Sequence, residues 1–227
     1  MIKFKNGMKF LFIGNSATYV NEIPQSLKKL AEAAGFYFET AQITPGGYTL
    51  RQHADTSTEH GKKVLEEIKR GYDVVFLQDN GNCVADEAHE VACRDAVSHL
   101  VRAIRESGAE PCFYVRPPTS YERFGLSPLS QCESFDKLFS DMAKEHGVPC
   151  VYVNRAFAYA IRNLEYDLWC EDRGHTNAYG AYLIICTFFA TIFGLSATRL
   201  GPWRLDGADA TALATIADDV VFRGISI

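Results

Sequence analysis

The sequence predicts an α/β protein in which helices cover both faces of a five-stranded parallel sheet, a three-layer α/β/α sandwich. Short apolar runs rich in Val, Ile and Phe recur along the chain, and segments of helical periodicity separate them. Such alternation gives parallel strands whose connections cover both sheet faces. With 227 residues, 47% of them hydrophobic, and no visible linker or repeat, the chain 1–227 is expected to form one domain.

The individual elements follow from length, periodicity and end signals. Strands are predicted over residues 8–14, 36–44, 72–78, 110–116 and 149–154. Amphipathic helices are predicted over residues 23–34, 61–70, 87–107 and 129–146. A glycine follows each of these helices, where a left-handed cap is needed: Gly35, Gly71, Gly108 and Gly147. An irregular stretch over 163–174, a long apolar helix within 178–195 and a helical segment over 206–222 complete the chain.

The charge distribution argues against several classes of partner. The net charge is -5, and no run of like charges occurs, so the electrostatic footprint of a nucleic-acid binder is missing. The amino terminus shows no secretory signal, and glycines and threonines interrupt the apolar stretch 178–195. We therefore expect a soluble, cytoplasmic protein that acts on a small molecule, without a nucleic-acid or membrane partner.

Cysteine and histidine spacing gives no indication of a metal or cofactor. The seven cysteines are scattered, odd in number and free of CxxC pairs, which favours reduced thiols that fill the core. Five histidines form no ligand pattern and are predicted to be surface residues: His53, His60, His89, His99 and His146. We expect no cofactor and no bound metal.

Polar or glycine residues follow four of the predicted strands. In open parallel sheets, ligands bind outside the carboxyl ends of the strands, so Ser16, Gly47, Asn80 and Arg116 should converge at one edge. Gly47 could bring a backbone N–H close to an oxyanion, and the Asn80 amide could donate to the same oxygen. Each of these residues is also an ordinary turn or capping residue, so none is specific alone.

The segment Asp172-Arg173-Gly174-His175 supplies the other groups that a serine nucleophile needs. A hydroxyl requires a base to take its proton, and the base requires a third group to fix its tautomer and orientation. Ser16, His175 and Asp172 have the side chains for these three roles, and Asp172 lies only three positions before His175. A surface ion pair or half of a metal site would also explain the Asp-x-x-His pattern.

Together these segments resemble the SGNH (GDSL-type) hydrolase superfamily, whose four sequence blocks contribute Ser, Gly, Asn and His in that chain order. Ser16 matches the nucleophile, Gly47 and Asn80 match the oxyanion-hole residues, and Asp172 and His175 match the acid and base. The resemblance spans most of the chain. It implies the flavodoxin-like SGNH hydrolase fold, with Ser16 contributing its own N–H to the oxyanion hole.

The similarity is greatest to the bacterial subgroup whose first block reads Gly-Asn-Ser, with a Gly-x-Tyr-Leu helix after the fourth block, here residues 179–183. The sequence departs from the family pattern at Asn15, which replaces the usual Asp. It departs again at Gln78 and Gly81, which replace the Gly and Asp that flank the third-block Asn. These departures affect substrate geometry more than triad chemistry.

The resemblance implies a serine esterase that hydrolyses esters of small acyl groups, often acetyl esters on carbohydrate, by a Ser-His-Asp triad. Substrate contacts are expected from Asn15, Gln78, Tyr48 and Arg116, and aromatic residues near the mouth could stack on a sugar: Tyr48, Tyr121, Phe124 and Trp169. The alternatives are a lipase or thioesterase, or a catalytically silent carbohydrate- or ligand-binding protein on the same fold. A cysteine-dependent enzyme is disfavoured, because no thiol lies in an electropositive sequence setting.

Overall fold

A five-stranded parallel sheet lies at the centre of the computed structural model, which describes residues 2–225 and 227. The strands are β1 (Met8–Ile13), β2 (Phe38–Ile43), β3 (Val74–Leu77), β4 (Glu110–Val115) and β5 (Cys150–Tyr152). The first helices are α1 (Ser16–Tyr19), α2 (Ile23–Ala33), α3 (Leu50–Ala54), α4 (Glu59–Ile68) and α5 (Glu87–Glu106). They are followed by α6 (Pro128–His146), α7 (Val153–Asn163), α8 (Ala178–Phe193) and α9 (Gly207–Phe222).

The strand order is β2-β1-β3-β4-β5, and every neighbouring pair is parallel. This is the flavodoxin-like order, in which the chain moves outward in one direction after β1 and in the other after β3. The predicted fold class is therefore confirmed. The switch point lies between β1 and β3, so the loops that follow these strands flank the crevice where ligands bind in such sheets.

Two apolar clusters separate the sheet from its two helical layers, because successive side chains of a strand point to opposite faces. Phe10 and Phe12 of β1 belong to the cluster beneath α2, α7, α8 and α9. Leu11 and Ile13 belong to the cluster beneath α4, α5 and α6. All four side chains are at most 1% exposed, so β1 is buried on both faces and holds its carboxyl end in a fixed position.

The predicted caps of the helices are present. Gly35, Gly71, Gly108 and Gly147 all have positive φ, as a left-handed end requires. The apolar helix predicted within 178–195 is α8, and most of its residues are buried between the sheet and α9. Among the described residues, no helix combines the length and apolar character that crossing a bilayer requires.

The main departure from the predicted elements lies at the fifth strand. Residues 149–154 were expected to form a strand, but β5 ends at Tyr152 and α7 begins directly at Val153. Val153, Ala156, Phe157 and Ala160 then pack on the core at helical spacing, so the apolar run serves two elements in succession. The short helices α1 and α3 were also not predicted, because four and five residues are too few to show a period.

Candidate active site

Ser16, His175 and Asp172 form a continuous hydrogen-bonded line at the carboxyl edge of the sheet. The Oγ of Ser16 lies 2.8 Å from Nε2 of His175, and Nδ1 of His175 lies 2.6 Å from Oδ2 of Asp172. The two contacts use opposite ring nitrogens, which is the arrangement of a nucleophile, a general base and an orienting acid. The structure thus brings together residues that lie 159 positions apart in the sequence.

The Asp172 turn holds the carboxylate ready for this role. Oδ1 of Asp172 accepts the backbone N–H groups of Gly174 and His175, both at 2.9 Å, while Oδ2 faces the imidazole. The hydrogen bond from the His175 side chain, supported by the two backbone donors, lowers the pKa of Asp172 to about 2. Asp172 is therefore a carboxylate at any ordinary working pH, and it favours the tautomer of His175 that carries a proton on Nδ1.

The loop that carries His175 is fixed to the rest of the site by long-range hydrogen bonds. Nδ2 of Asn21 donates to the carbonyl oxygen of Thr176 at 2.6 Å, which links the region after α1 to the residue after His175. Asn177 caps α8 by accepting the N–H groups of Tyr179 and Gly180, and it donates to the carbonyl of Asp167. These contacts position the imidazole independently of the Ser16 bond.

The nucleophile segment is equally constrained. The Asn15 side chain accepts the Ala17 N–H at 3.0 Å as the cap of α1, and its Nδ2 donates to the carbonyl of Tyr48 at 2.8 Å. The Gln78 Oε1 accepts the Asn15 N–H at 3.1 Å and the Thr18 hydroxyl at 3.0 Å. Glycine is required at position 14, because a Cβ there would lie 2.6 Å from Gln78 Oε1.

Three candidate oxyanion donors surround the Ser16 hydroxyl. Ser16 is the first residue of α1, where backbone N–H groups lack acceptors within the helix. Gly47 has φ +74°, and its N–H has no acceptor among the described residues. Asn80 Nδ2 donates one N–H to the Gly47 carbonyl at 2.8 Å, so the two residues hold each other in place. The second N–H of the Asn80 amide has no acceptor among the described residues.

Ser16 and His175 open into a pocket of about 220 Å³. Asn15, Gly47, Asn80, Arg116 and Tyr121 line it, as the sequence predicts, and the structure adds Ala17, Thr119, Arg123 and Gly174. Four of the predicted substrate contacts do not line this pocket: Gln78, Tyr48, Phe124 and Trp169. Gln78 is 1% exposed and supports the nucleophile segment from behind, and the Tyr48 ring packs against His60.

His53 corrects the prediction that the remaining histidines lie on the surface. Its side chain is fully buried, with Nε2 2.8 Å from the carbonyl oxygen of Gly14 and Nδ1 3.0 Å from Nε2 of His60. Because the Gly14 carbonyl only accepts, His53 carries its proton on Nε2, and His60 donates to Nδ1. Burial lowers the pKa of His53 to about 4, so it stays neutral. The short helix α3, which is too short to show a helical period in the sequence, places His53 beneath the turn that carries Ser16.

Arg123 is not among the predicted substrate contacts, and the sequence leaves the role of its segment, residues 121–123, undecided. It lies in the loop after β4, seven positions beyond Arg116, and its guanidinium reaches back to the third-block loop. The only indication of a site role in the sequence is that Arg123 lies in the loop after the carboxyl end of β4. Among the described residues, no three His, Cys, Asp or Glu side chains converge as a metal site.

The fold is that of the SGNH hydrolases, as comparison with solved structures shows. A protein from Slackia heliotrinireducens, provisionally assigned as an SGNH hydrolase, superimposes with a TM-score of 0.68 at 23% identity over 81% of this chain and 97% of its own. A DUF4886 family protein from Bacteroides uniformis matches with a TM-score of 0.77 at 18% identity, over 98% of this chain and 97% of its own.

A third neighbour is a mutant form of Axe2, an acetyl-xylooligosaccharide esterase from Geobacillus, with a TM-score of 0.64 at 16% identity over 86% of this chain and 98% of its own. Two further Axe2 structures are described as catalytic mutants, one with a serine and one with a histidine changed to alanine. No protein-family model matches this chain. No curated protein matches it by sequence either.

Proposed function

We propose that this chain is a serine esterase that hydrolyses short acyl esters, acetyl above all, on a carbohydrate. The observation that carries the proposal is the line of hydrogen bonds from Ser16 through His175 to Asp172, at 2.8 and 2.6 Å, beside three candidate oxyanion donors. The SGNH fold supports an ester as the bond that is hydrolysed, and the Axe2 neighbours, described as acetylxylan esterases, support a carbohydrate as the acylated substrate.

The mechanism follows from this geometry. His175 Nε2 takes the Ser16 proton as Oγ attacks the ester carbonyl, and the carbonyl oxygen becomes an oxyanion that accepts from Ser16 N–H, Gly47 N–H and Asn80 Nδ2. His175 then gives that proton to the leaving alcohol, and the C–O bond breaks to leave an acyl-enzyme. Water repeats the sequence, which releases the acid and returns the proton to Ser16.

The size and lining of the pocket favour a short acyl group. A volume of about 220 Å³ is below the range of ordinary drug-sized ligand sites, and most of the lining side chains are polar or charged. A long acyl chain requires an extended apolar channel, and among the residues that line this pocket only Ala17 and Tyr121 have an apolar or aromatic side chain. The lipase alternative is therefore less well supported than an acetylesterase.

The test is hydrolysis of a 4-nitrophenyl acyl series by the wild type and by Ser16→Ala, with Ser98→Ala as the matched control. Ser98 lies exposed on α5, and among the described residues its hydroxyl bonds only to Arg94 and His146, so it is dispensable for the proposed chemistry. We expect wild-type and Ser98→Ala turnover to be highest for acetate and to vanish in Ser16→Ala. A fluorophosphonate should label the peptide that contains Ser16.

Full activity of Ser16→Ala would refute the proposal. Acetate turnover that is much slower than octanoate turnover would move the assignment to the lipase class. Carbohydrate binding without any ester turnover or fluorophosphonate labelling would support the silent binding protein instead.

A further inference from the structure

Two arginines converge on the third-block loop at the edge of the catalytic pocket. Arg116 donates through Nη1 to the carbonyl oxygen of Asn80, and Arg123 donates through Nη1 to the same oxygen at 3.1 Å. Arg123 Nη2 also donates to Oδ1 of Asn82 at 2.5 Å. Both arginines line the pocket that holds Ser16 and His175. Two cations thus share one neutral acceptor beside the proposed nucleophile.

Neither arginine of this pair makes a direct ion pair with a described residue. Within residues 2–225 and 227, neither guanidinium has a carboxylate oxygen within 4.0 Å, whereas Arg155 and Arg173 are paired with Asp136 and Asp167. Arg116 is only 7% exposed, and a buried cation without a counterion is costly. Burial and the neighbouring Arg123 charge lower the pKa of Arg116. The buried Asp79 carboxylate attracts Arg116 from beyond ion-pair distance and raises its pKa, but the oxygens of Asp79 accept the N–H groups of Leu50 and Gly81.

Donor groups of the pair remain free. Arg116 uses Nε for the Pro117 carbonyl at 2.9 Å and Nη1 for Asn80, and its Nη2 has no acceptor among the described residues. Arg123 uses both Nη groups, and its Nε has no acceptor in the same part of the chain. Planar guanidinium groups with free N–H donors suit a carboxylate or a phosphate, which can accept several charge-assisted hydrogen bonds.

We infer that Arg116 and Arg123 form an anion subsite, and that the ester substrate carries a carboxylate or a phosphate that binds there. This inference rests on the proposed esterase function and narrows its substrate to acylated acidic sugars, such as a uronic acid or a sugar phosphate. The anion supplies the missing counterion, and it orients the ester relative to Ser16 by a contact outside the acyl pocket.

The test compares three acetylated methyl glycosides that differ at one position: a glucuronoside with a carboxylate, a glucoside 6-phosphate and a neutral glucoside. For the wild type we expect kcat/KM to be about tenfold or more higher for an anionic ester than for the neutral one. This preference in kcat/KM for the anionic ester should become smaller at high salt concentration. Whichever anion is preferred identifies the source of the negative charge.

Arg123→Gln should reduce kcat/KM for the preferred anionic ester at least tenfold more than for the neutral ester. Arg199→Gln is the matched control, because it removes the same charge from an exposed side chain outside the pocket. Arg123→Lys, which keeps the charge but loses the planar fork, should recover part of the selectivity. If Arg123→Gln slows all three esters equally, the arginine only positions the Asn80 loop, and the inference is wrong.

Equilibrium binding keeps the inference separate from the proposed function. Calorimetric titration of Ser16→Ala protein with the three glycosides requires no turnover, and the anionic ligand should bind at least tenfold more tightly than the neutral one. Equal affinities would overturn the inference even if Ser16-dependent hydrolysis of 4-nitrophenyl acetate is observed. Anion-selective binding without any Ser16-dependent hydrolysis would retain the subsite and refute the esterase.

Discussion

Lowering the pH from 7 to 5 should destabilise the fold through His53, the buried imidazole beneath the nucleophile turn. Nε2 of His53 donates to the Gly14 carbonyl, and Nδ1 accepts from His60, so the neutral ring has both nitrogens satisfied. A second proton on Nδ1 would face the donor group of His60 and would place a charge in a fully buried site. The folded protein therefore resists protonation of this ring.

The size of this loss of stability follows from the pKa values of His53 in the unfolded and the folded protein. Burial lowers the pKa from 6.5 to about 4 in the folded protein. Between these values the unfolded chain binds a proton that the folded protein does not, so the free energy of unfolding falls as the pH falls. The loss amounts to roughly 2 kcal/mol between pH 7 and pH 5, and to roughly 3 kcal/mol once the pH reaches about 4.

Urea unfolding followed by the fluorescence of Trp169 and Trp203 measures this effect in the wild type and in His53→Gln. The Gln amide keeps a donor for the Gly14 carbonyl but does not titrate, and groups common to both proteins cancel in the difference. The variant should be less stable at pH 7, and the gap should close by roughly 2 kcal/mol at pH 5. His60→Gln, measured alongside, separates the contribution of the neighbouring ring.

A stability gap that stays constant from pH 7 to pH 5 would refute the assignment of His53 as a buried neutral histidine. The imidazole ¹⁵N resonances provide a direct check. His53 should keep the tautomer protonated on Nε2 down to about pH 4. Titration of its ring near pH 6.5 would contradict the structure, whatever the urea data show.

Three further predictions concern the catalytic edge. Asp172→Asn should leave folding intact and lower kcat on the order of 10³- to 10⁴-fold, because an amide no longer selects the His175 tautomer; a loss below about tenfold would remove Asp172 from the triad. Gly14→Ala should cost about 1–3 kcal/mol of stability and most activity, because its Cβ would lie 2.6 Å from Gln78 Oε1. Gly46→Ala is the control, since its Cβ meets only the flexible Tyr19 hydroxyl at 3.3 Å, and equal effects of the two changes would contradict this packing. Asn177→Ala should cost about 1–2 kcal/mol in thermal or urea unfolding through the lost cap of α8, and an unchanged stability would show that the cap is dispensable.

The fold could be predicted because its main elements are long enough to show a period and end in strong local signals. The four predicted amphipathic helices are each followed by a glycine, and each of those glycines has positive φ. The alternation of strands with helices then leaves few topologies, because parallel strands require right-handed crossovers. The prediction of the β5 boundary failed because no local signal marks the end of this strand: Val153 suits a strand and a buried helix equally.

The candidate site was predictable only where side-chain chemistry is distinctive. Ser16, His175 and Asp172 could be assigned roles from their chemistry, because each supplies a group that the others lack. His53 could not, since a histidine in a polar segment reads as a surface residue, and its burial depends on where α3 packs. The role of Arg123 stayed undecided for a similar reason: nothing local to the loop after β4 shows that its guanidinium turns back toward Asn80.

The distances within the triad depend on contacts that no local pattern records. Ser16 is positioned by β1, which is buried on both faces, and His175 by the turn that precedes α8. The hydrogen bond from Asn21 to the Thr176 carbonyl joins these two regions across 155 positions, and the hydroxyl of Tyr114, on β4 of the same sheet, donates to the Ala17 carbonyl. A misplacement of about 1 Å can cost on the order of 100-fold in rate, so these supporting bonds matter to catalysis alongside the identity of the triad residues. In the proposed mechanism, Asn21 and Tyr114 are therefore positioning residues, because their side chains hold the triad segments without contacting the reacting atoms.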